Sequence, residues 1–264
     1  MPIITISRGS YYHGKAIAEK LAARLGYSCL SRDKIVENLD EFHLPEIKLV
    51  RCLNDTFSVL DRFPHGKQRF ITAIRAALLD EFAKGNVVYH GLVGHHFIRE
   101  ISHVLKVRII ADTDSRIADE MARENIAEEQ AQHILKTDDE ERRKWAMFLY
   151  GIDIVSAENY NMVLRIGHLN EDEAVDIISN AVKLSAFQET EESKARLADA
   201  ALAARINRKL FDYPHAAVTA THGKVRIAMK VPESQKPLIE ARVAEMLANT
   251  KGVRDYVLQF DPYY

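Results

Sequence analysis

The residues best placed to do chemistry lie near the N-terminus, where four residues separate Gly9 from Gly14 and Lys15 follows directly. That spacing belongs to a loop that cradles phosphates with its backbone N–H groups and reaches their oxygens with a lysine. The candidate phosphate ligands are therefore Gly9, Ser10, Tyr11, Tyr12, His13, Gly14, Lys15 and Ala16. Ala16 stands where a Ser or Thr hydroxyl usually helps to hold Mg²⁺. Tyr11, Tyr12 and His13 fill positions that small residues usually occupy, and their side chains either point outward or occupy the cradle. His13 has a third option, a hydrogen bond to the phosphate. Ser7 and Ser10 are the hydroxyls that could replace the missing one. The competing reading is a strand, turn and helix with no ligand.

Such a loop works only between a strand and the positive end of a helix. Residues 3–6 read as a buried β-branched strand. Residues 15–25 read as a helix with Ile17, Ala18, Leu21, Ala22 and Leu25 on one face and Gly26 as its stop. A second strand is expected over 27–30, then a helix capped by Ser31 with Asp33 in its first turn. Residues 46–84 look mostly helical, broken at Pro64, His65 and Gly66. Strands follow at 87–89, 104–111 and 160–166, and helices at 112–124 (Asp114 as cap), 125–150 and 171–184. Strands alternating with helices make this an α/β chain: a parallel five-stranded sheet with helices on both faces.

Residues 188–194 are polar and lack large apolar side chains, and the boundary of a 1–187 domain is expected there. Residues 195–262 follow a different order: a helix, two strands joined by a tight His222-Gly223 turn, a second helix and a last strand. This αββαβ unit is a small α+β domain.

The totals exclude several classes. With 36 Lys plus Arg against 38 Asp plus Glu, the formal net charge is -2, which gives no basic surplus for nucleic acid. Cys29 and Cys52 are too few for a disulfide framework and read as reduced core residues. No apolar run reaches the roughly 18 residues of a membrane span, and no leader peptide is visible, so a cytoplasmic protein is expected. No metal-ligand set is read: His90, His95 and His96 are expected to be satisfied polar histidines near a cleft. Trp145, Phe148 and Tyr150 read as packing or lid contacts.

Residues 4–8, and after seven further positions 16–22, resemble the start of cytidylate kinase-like proteins, a branch of the P-loop nucleoside monophosphate kinases. The resemblance runs to about residue 186, through the 32–36 segment, the 112–131 stretch and Lys136-Thr137-Asp138. It implies a P-loop kinase-like sheet, a lid that closes over phosphates, and ATP, with nucleotide-bound Mg²⁺, as phosphoryl donor to a nucleoside monophosphate. It also implies that Lys15, Arg123, Arg142 and Arg143 act as the catalytic cations and that Asp33 contacts the nucleotide. Each of Arg123 and Arg143 has an alternative reading as part of a solvated helix face with intrahelical ion pairs. The chain departs from the family at the loop core, at Leu92 and Glu141 where arginines are expected, and at Asn161 where an acid is expected.

The 195–262 unit resembles a BON domain, on residues 199–206, 221–227 and 253–257. That resemblance implies a protein or ligand partner; the alternative is a structural appendage or a homodimer contact. Two functional readings follow: a phosphotransferase with a degenerate site, or a catalytically weak nucleotide sensor that signals through the second unit. A third is a structural protein that binds no nucleotide.

Overall fold

The computed structural model describes residues 2–9, 11–38, 65–91, 93–213 and 215–261, with side chains throughout except at 11, 12 and 36–38. Ser10, Leu92, Cys52 and the 46–64 part of the expected helical stretch lie outside the described residues. In chain order the elements are β1 (Ile3–Arg8), α1 (Tyr11–Leu25), β2 (Ser28–Ser31), α2 (Arg32–Asn38), α3 (Gly66–Phe82), β3 (Val87–Gly91), β4 (Val104–Ala111), α4 (Thr113–Glu124), α5 (Glu128–Tyr150), β5 (Met162–Ile166), α6 (Glu171–Ala181), α7 (Glu191–Lys209), β6 (Ala217–Thr221), β7 (Lys224–Lys230), α8 (Lys236–Ala248) and β8 (Asp255–Asp261). None of the described helices is long and apolar enough to cross a membrane.

The chain forms two compact units. The first holds an all-parallel sheet in the order β2-β3-β1-β4-β5. All six residues of β1 are buried, which suits a central parallel strand covered on both faces. Ile4, Ile6, Val88, Leu105, Val107 and Ile109 point to one face. There they meet Ile17, Ala18 and Leu21 of α1 and Ala174, Val175 and Ile178 of α6. Emptying such a position, as in Ile17→Ala, costs about 2–5 kcal/mol. In a separate small cluster Ala146 of α5 packs with Val93 and Ile154. All strands run the same way, but their connections switch sides at β1, whose neighbours are β3 and β4, and in open parallel sheets ligands bind outside the strand C-termini at such a switch point.

The second unit takes in α3 together with the elements from α7 onward. The unit is therefore not contiguous in sequence. Its sheet runs β6-β7-β8, antiparallel then parallel, over a core of Leu202, Ile206, Ile227, Met229 and Val243. The αββαβ order is present. At the hairpin tip His222 and Gly223 both have positive φ, and their N–H groups donate to the Asp199 carboxylate at 2.6 and 2.9 Å.

Some boundaries differ from expectation. Helix α7 starts at Glu191, so the last four residues of the polar 188–194 segment are helical rather than linker. Asp112, not Asp114, is the N-cap residue of α4. Helix α6 ends at Ala181 instead of 184, and a single 3₁₀ turn follows. The cap at Ser31 holds: its Oγ accepts from the Lys34 N–H at 3.1 Å.

Candidate functional site

Helix α1 begins at Tyr11, four residues ahead of the expected start. The long phosphate loop is thereby reduced to a short link, and Gly14 and Lys15 lie inside the helix. The N–H of Gly9 donates to the Ile109 carbonyl at 2.7 Å, extending the pairing of β1 with β4, so it is not available to an anion. Both glycines are required by crowding. A Cβ on Gly9 would come within 2.8 Å of Ile110, and one on Gly14 within 2.6 Å of the Arg8 stem. What remains of the cradle is the first turn of α1, whose N–H groups at Tyr11, Tyr12, His13 and Gly14 have no partner within the helix by geometry.

Three expected phosphate contacts are placed differently. His13 is held between carboxylates, with Nδ1 3.0 Å from Glu171 and Nε2 3.1 Å from Asp119. Burial opposes ionisation of Glu171, but hydrogen bonds from His13 and Lys20 outweigh it and hold that carboxyl below its ordinary range. The His13 ring thus ties α1 to α4 and α6 and does not enter a phosphate cradle. Lys15, displaced into the second helical turn, is half exposed with its Nζ 3.9 Å from Glu19. Ala16 carries no oxygen, and Ser7 Oγ lies 3.0 Å from the Tyr160 hydroxyl, so neither fits a protein-held Mg²⁺. Magnesium would have to arrive on the nucleotide.

The lid arginines separate into two kinds. Arg123 is engaged by Glu120 at 2.5 Å and Glu124 at 3.2 Å. Arg143 donates to Asp153 at 2.8 Å. A backbone N–H from Val155 and then this arginine hold the Asp153 carboxyl below its usual range. Both arginines are structural ion pairs in this arrangement. Arg142 is half-buried. Desolvation first, and then Arg8, Arg32 and Arg108, pull it down to about 10 against the opposing pull of Asp139. Asp139 is itself forked by Arg116 at 2.8 and 2.9 Å. Asp138, on the same helix, is pushed up by burial.

Arg8, Arg32 and Arg108 carry no role in the sequence reading, yet they complete this cluster. Arg8 ends β1 and is buried, with its stem across Gly14. Arg32 opens α2 and lies over the Trp145 ring at 5.5 Å. Arg108 is buried on β4, and its hydrogen bonds to Ser7 Oγ and the Tyr160 hydroxyl are both long, at 3.5 Å. Tyr160 donates to the Ile154 carbonyl at 2.9 Å and so is fixed beneath the Arg108 guanidinium, 5.7 Å from its ring centre. A usable signal was present: Arg108 and Lys106 are the two cations in an otherwise apolar strand.

The histidines correct a further expectation. His90 and His95 are buried, and His90 Nδ1 and His95 Nε2 lack a hydrogen-bond partner among the described residues. His95 packs against Tyr160 at 4.9 Å. Burial before all else pulls both histidines down to about 4, so both are neutral near pH 7. Asp33 sits exposed in the first turn of α2 and acts on His90. Asn161, where an acid was expected, accepts the Lys106 N–H at 2.9 Å and locks β5 to β4. The Cys29 thiol is raised by burial, as expected of an unreactive residue.

A family model described as the cytidylate kinase-like family matches residues 3–168. Among solved structures, an uncharacterized protein from Eubacterium ventriosum superposes with a TM-score of 0.53 at 19% identity, covering 69% of this chain and 97% of its own. A shikimate kinase from Bacteroides thetaiotaomicron gives 0.42 at 12% identity, over 69% and 99% of the two chains. A dephospho-CoA kinase from Campylobacter jejuni gives 0.40 at 15%, over 69% and 97%. The first supports the fold; the other two are too distant to carry more. No curated protein matches.

Proposed function

Because the chain belongs to the cytidylate kinase-like family, we propose that it binds ATP at the C-terminal rim of its parallel sheet and transfers the γ-phosphoryl group to a nucleoside monophosphate. The observation that carries this reading is that Arg8, Arg32 and Arg108 all bear electrostatically on the half-buried Arg142. Like charges brought together in a partly desolvated place repel one another, and a polyanion removes that repulsion. Phosphoryl transfer needs little from a protein beyond positioning and charge stabilisation of this kind. In this reading the first turn of α1, with Arg8, receives the donor phosphates. Arg32, Arg108 and Arg142 receive the phosphoryl group of the acceptor, and α5 is the lid that carries Arg142 to them. Mg²⁺, bound to the nucleotide, supplies further charge neutralisation.

A second reading has its own support. The Gly9 amide is used by the sheet, His13 is held by two acids and Lys15 leans toward Glu19. A donor cradle so reduced suits a sensor that binds nucleotide and turns over slowly. The αββαβ unit, BON-like in its sequence, would then pass the bound state to a partner protein or ligand.

One experiment separates the two: a coupled turnover assay with ATP and a panel of monophosphates that includes CMP and dCMP, run beside thermal melts. Monophosphate-dependent turnover that Arg108→Ala abolishes supports transfer. Stabilisation by ATP without turnover supports the sensor. An unchanged melt at millimolar ATP refutes both.

A further inference from the structure

The donor end of the rim contains one polar atom without an evident task. His90 pairs in register with Ile6 of β1 and Ser31 of β2. Residues in register share a face, and Ile6 packs under α1. The imidazole therefore points to the face that carries the start of α1, as does the Arg8 side chain two residues beyond Ile6. His90 is only 4% exposed, and its Nδ1 has no partner among the described residues. A buried ring nitrogen left unsatisfied costs free energy, and such a cost persists where a ligand later removes it.

We infer that His90 is a proton-linked phosphate ligand: when a nucleotide phosphate settles at the first turn of α1, His90 takes up a proton and donates a hydrogen bond to it. This rests on the nucleotide reading above and adds to it a coupling between binding and pH. The charged groups that act on His90 are Arg8 from β1, Lys15 from α1 and Asp33 from α2, and Glu19 and Lys34 flank the same edge at Cys29. In the unliganded protein, burial and the two cations keep the ring neutral, and Asp33 does not overcome them. A phosphate brings at least one negative charge to the same place, which reverses the balance. The proton comes from solvent or buffer, and no covalent bond changes.

The test is the titration of the His90 imidazole by NMR on the full chain, assigned through bonds, without ligand, with saturating ATP and with adenosine. The inference expects the His90 midpoint to rise by about three pH units with ATP, from about 4 to near 7, and to stay in place with adenosine. Calorimetry of ATP binding at pH 6 in two buffers of different ionisation enthalpy gives a second readout. Wild type should take up more protons than His90→Gln, by a difference approaching one, since protonation of ATP itself contributes equally to both. If ATP binds while the His90 midpoint and the proton count stay unchanged, the inference is overturned and the nucleotide reading stands. If ATP does not bind, both fall.

Discussion

The first turn of α1 and the rim formed by Arg108, Arg142, Tyr160 and His95 both looked like phosphate machinery in sequence or in fold, and they are wired in opposite ways. At the start of α1 the polar groups have protein neighbours: His13 Nδ1 is hydrogen-bonded with Glu171 and its Nε2 lies 3.1 Å from Asp119, Lys15 Nζ lies 3.9 Å from Glu19, and the amide of Gly9, just before the helix, donates to Ile109. At the rim, Arg142 is acted on by three other arginines, the Arg108 hydrogen bonds are long, and His95 Nε2 has no hydrogen-bond partner among the described residues. Opposite charges in contact hold a fold together. Like charges gathered around a hollow weaken it until an anion arrives. Adjacent residues of α5 repeat the contrast, since Arg143 is closed off by Asp153 while Arg142 is not.

The largest effect should come from the rim. Removing a charge-assisted contact to a ligand costs about 1.5–3 kcal/mol, so Arg142→Ala should weaken ATP or monophosphate binding about 10- to 100-fold by calorimetry. The unliganded variant should melt no lower than wild type, because a repulsion has been removed. A large drop in its melting temperature would erase the distinction between the two regions.

The next effect is a pH dependence at the same rim. His95 is pulled from 6.5 to about 4, so its depressed folded value leaves stability untouched above 6.5 and erodes it as the pH falls from there toward 4. The slope is about 1.4 kcal/mol per pH unit for one such group. By pH 5 the wild type should have lost about 2 kcal/mol more than His95→Gln, measured by urea unfolding across that range. Parallel pH profiles for the two proteins would show that His95 is not held neutral.

Smaller still is the α1 clamp. His13→Ala should destabilise the unliganded protein by about 1 kcal/mol, while changing ATP affinity less than about threefold. A loss of affinity without a loss of stability would return His13 to the phosphate site. Smallest is Arg143→Ala, an exposed ion pair, which should leave affinity within about twofold of wild type.

Much of the architecture was legible in the residues. The β-branched runs at β1 and β4 and the apolar faces of α1 and α6 specify a buried parallel sheet with helices against it, and Ser31 marks a helix start by its cap. The site was less legible because its spacing rule could be satisfied for another reason. Gly9 and Gly14 are needed where β4 and the Arg8 stem crowd the backbone, and a glycine required for close packing looks the same in sequence as one required for a phosphate. Arg8 and Arg32 fall within segments that carry the family resemblance, but nothing local tells that they act with Arg108 on Arg142 from distant parts of the chain. Arg108 was the exception, one of two cations, with Lys106, inside an otherwise apolar strand.

The most direct test of the arginine rim is a crystal structure of the full chain with ATP and a monophosphate soaked or co-crystallised. The account predicts phosphate density in hydrogen-bond contact with Arg108 and Arg142, and the guanidinium groups drawn toward it. Nucleotide density with no phosphate at either Arg108 or Arg142, or an empty rim with Arg142 unmoved while ATP binds in solution, would contradict it.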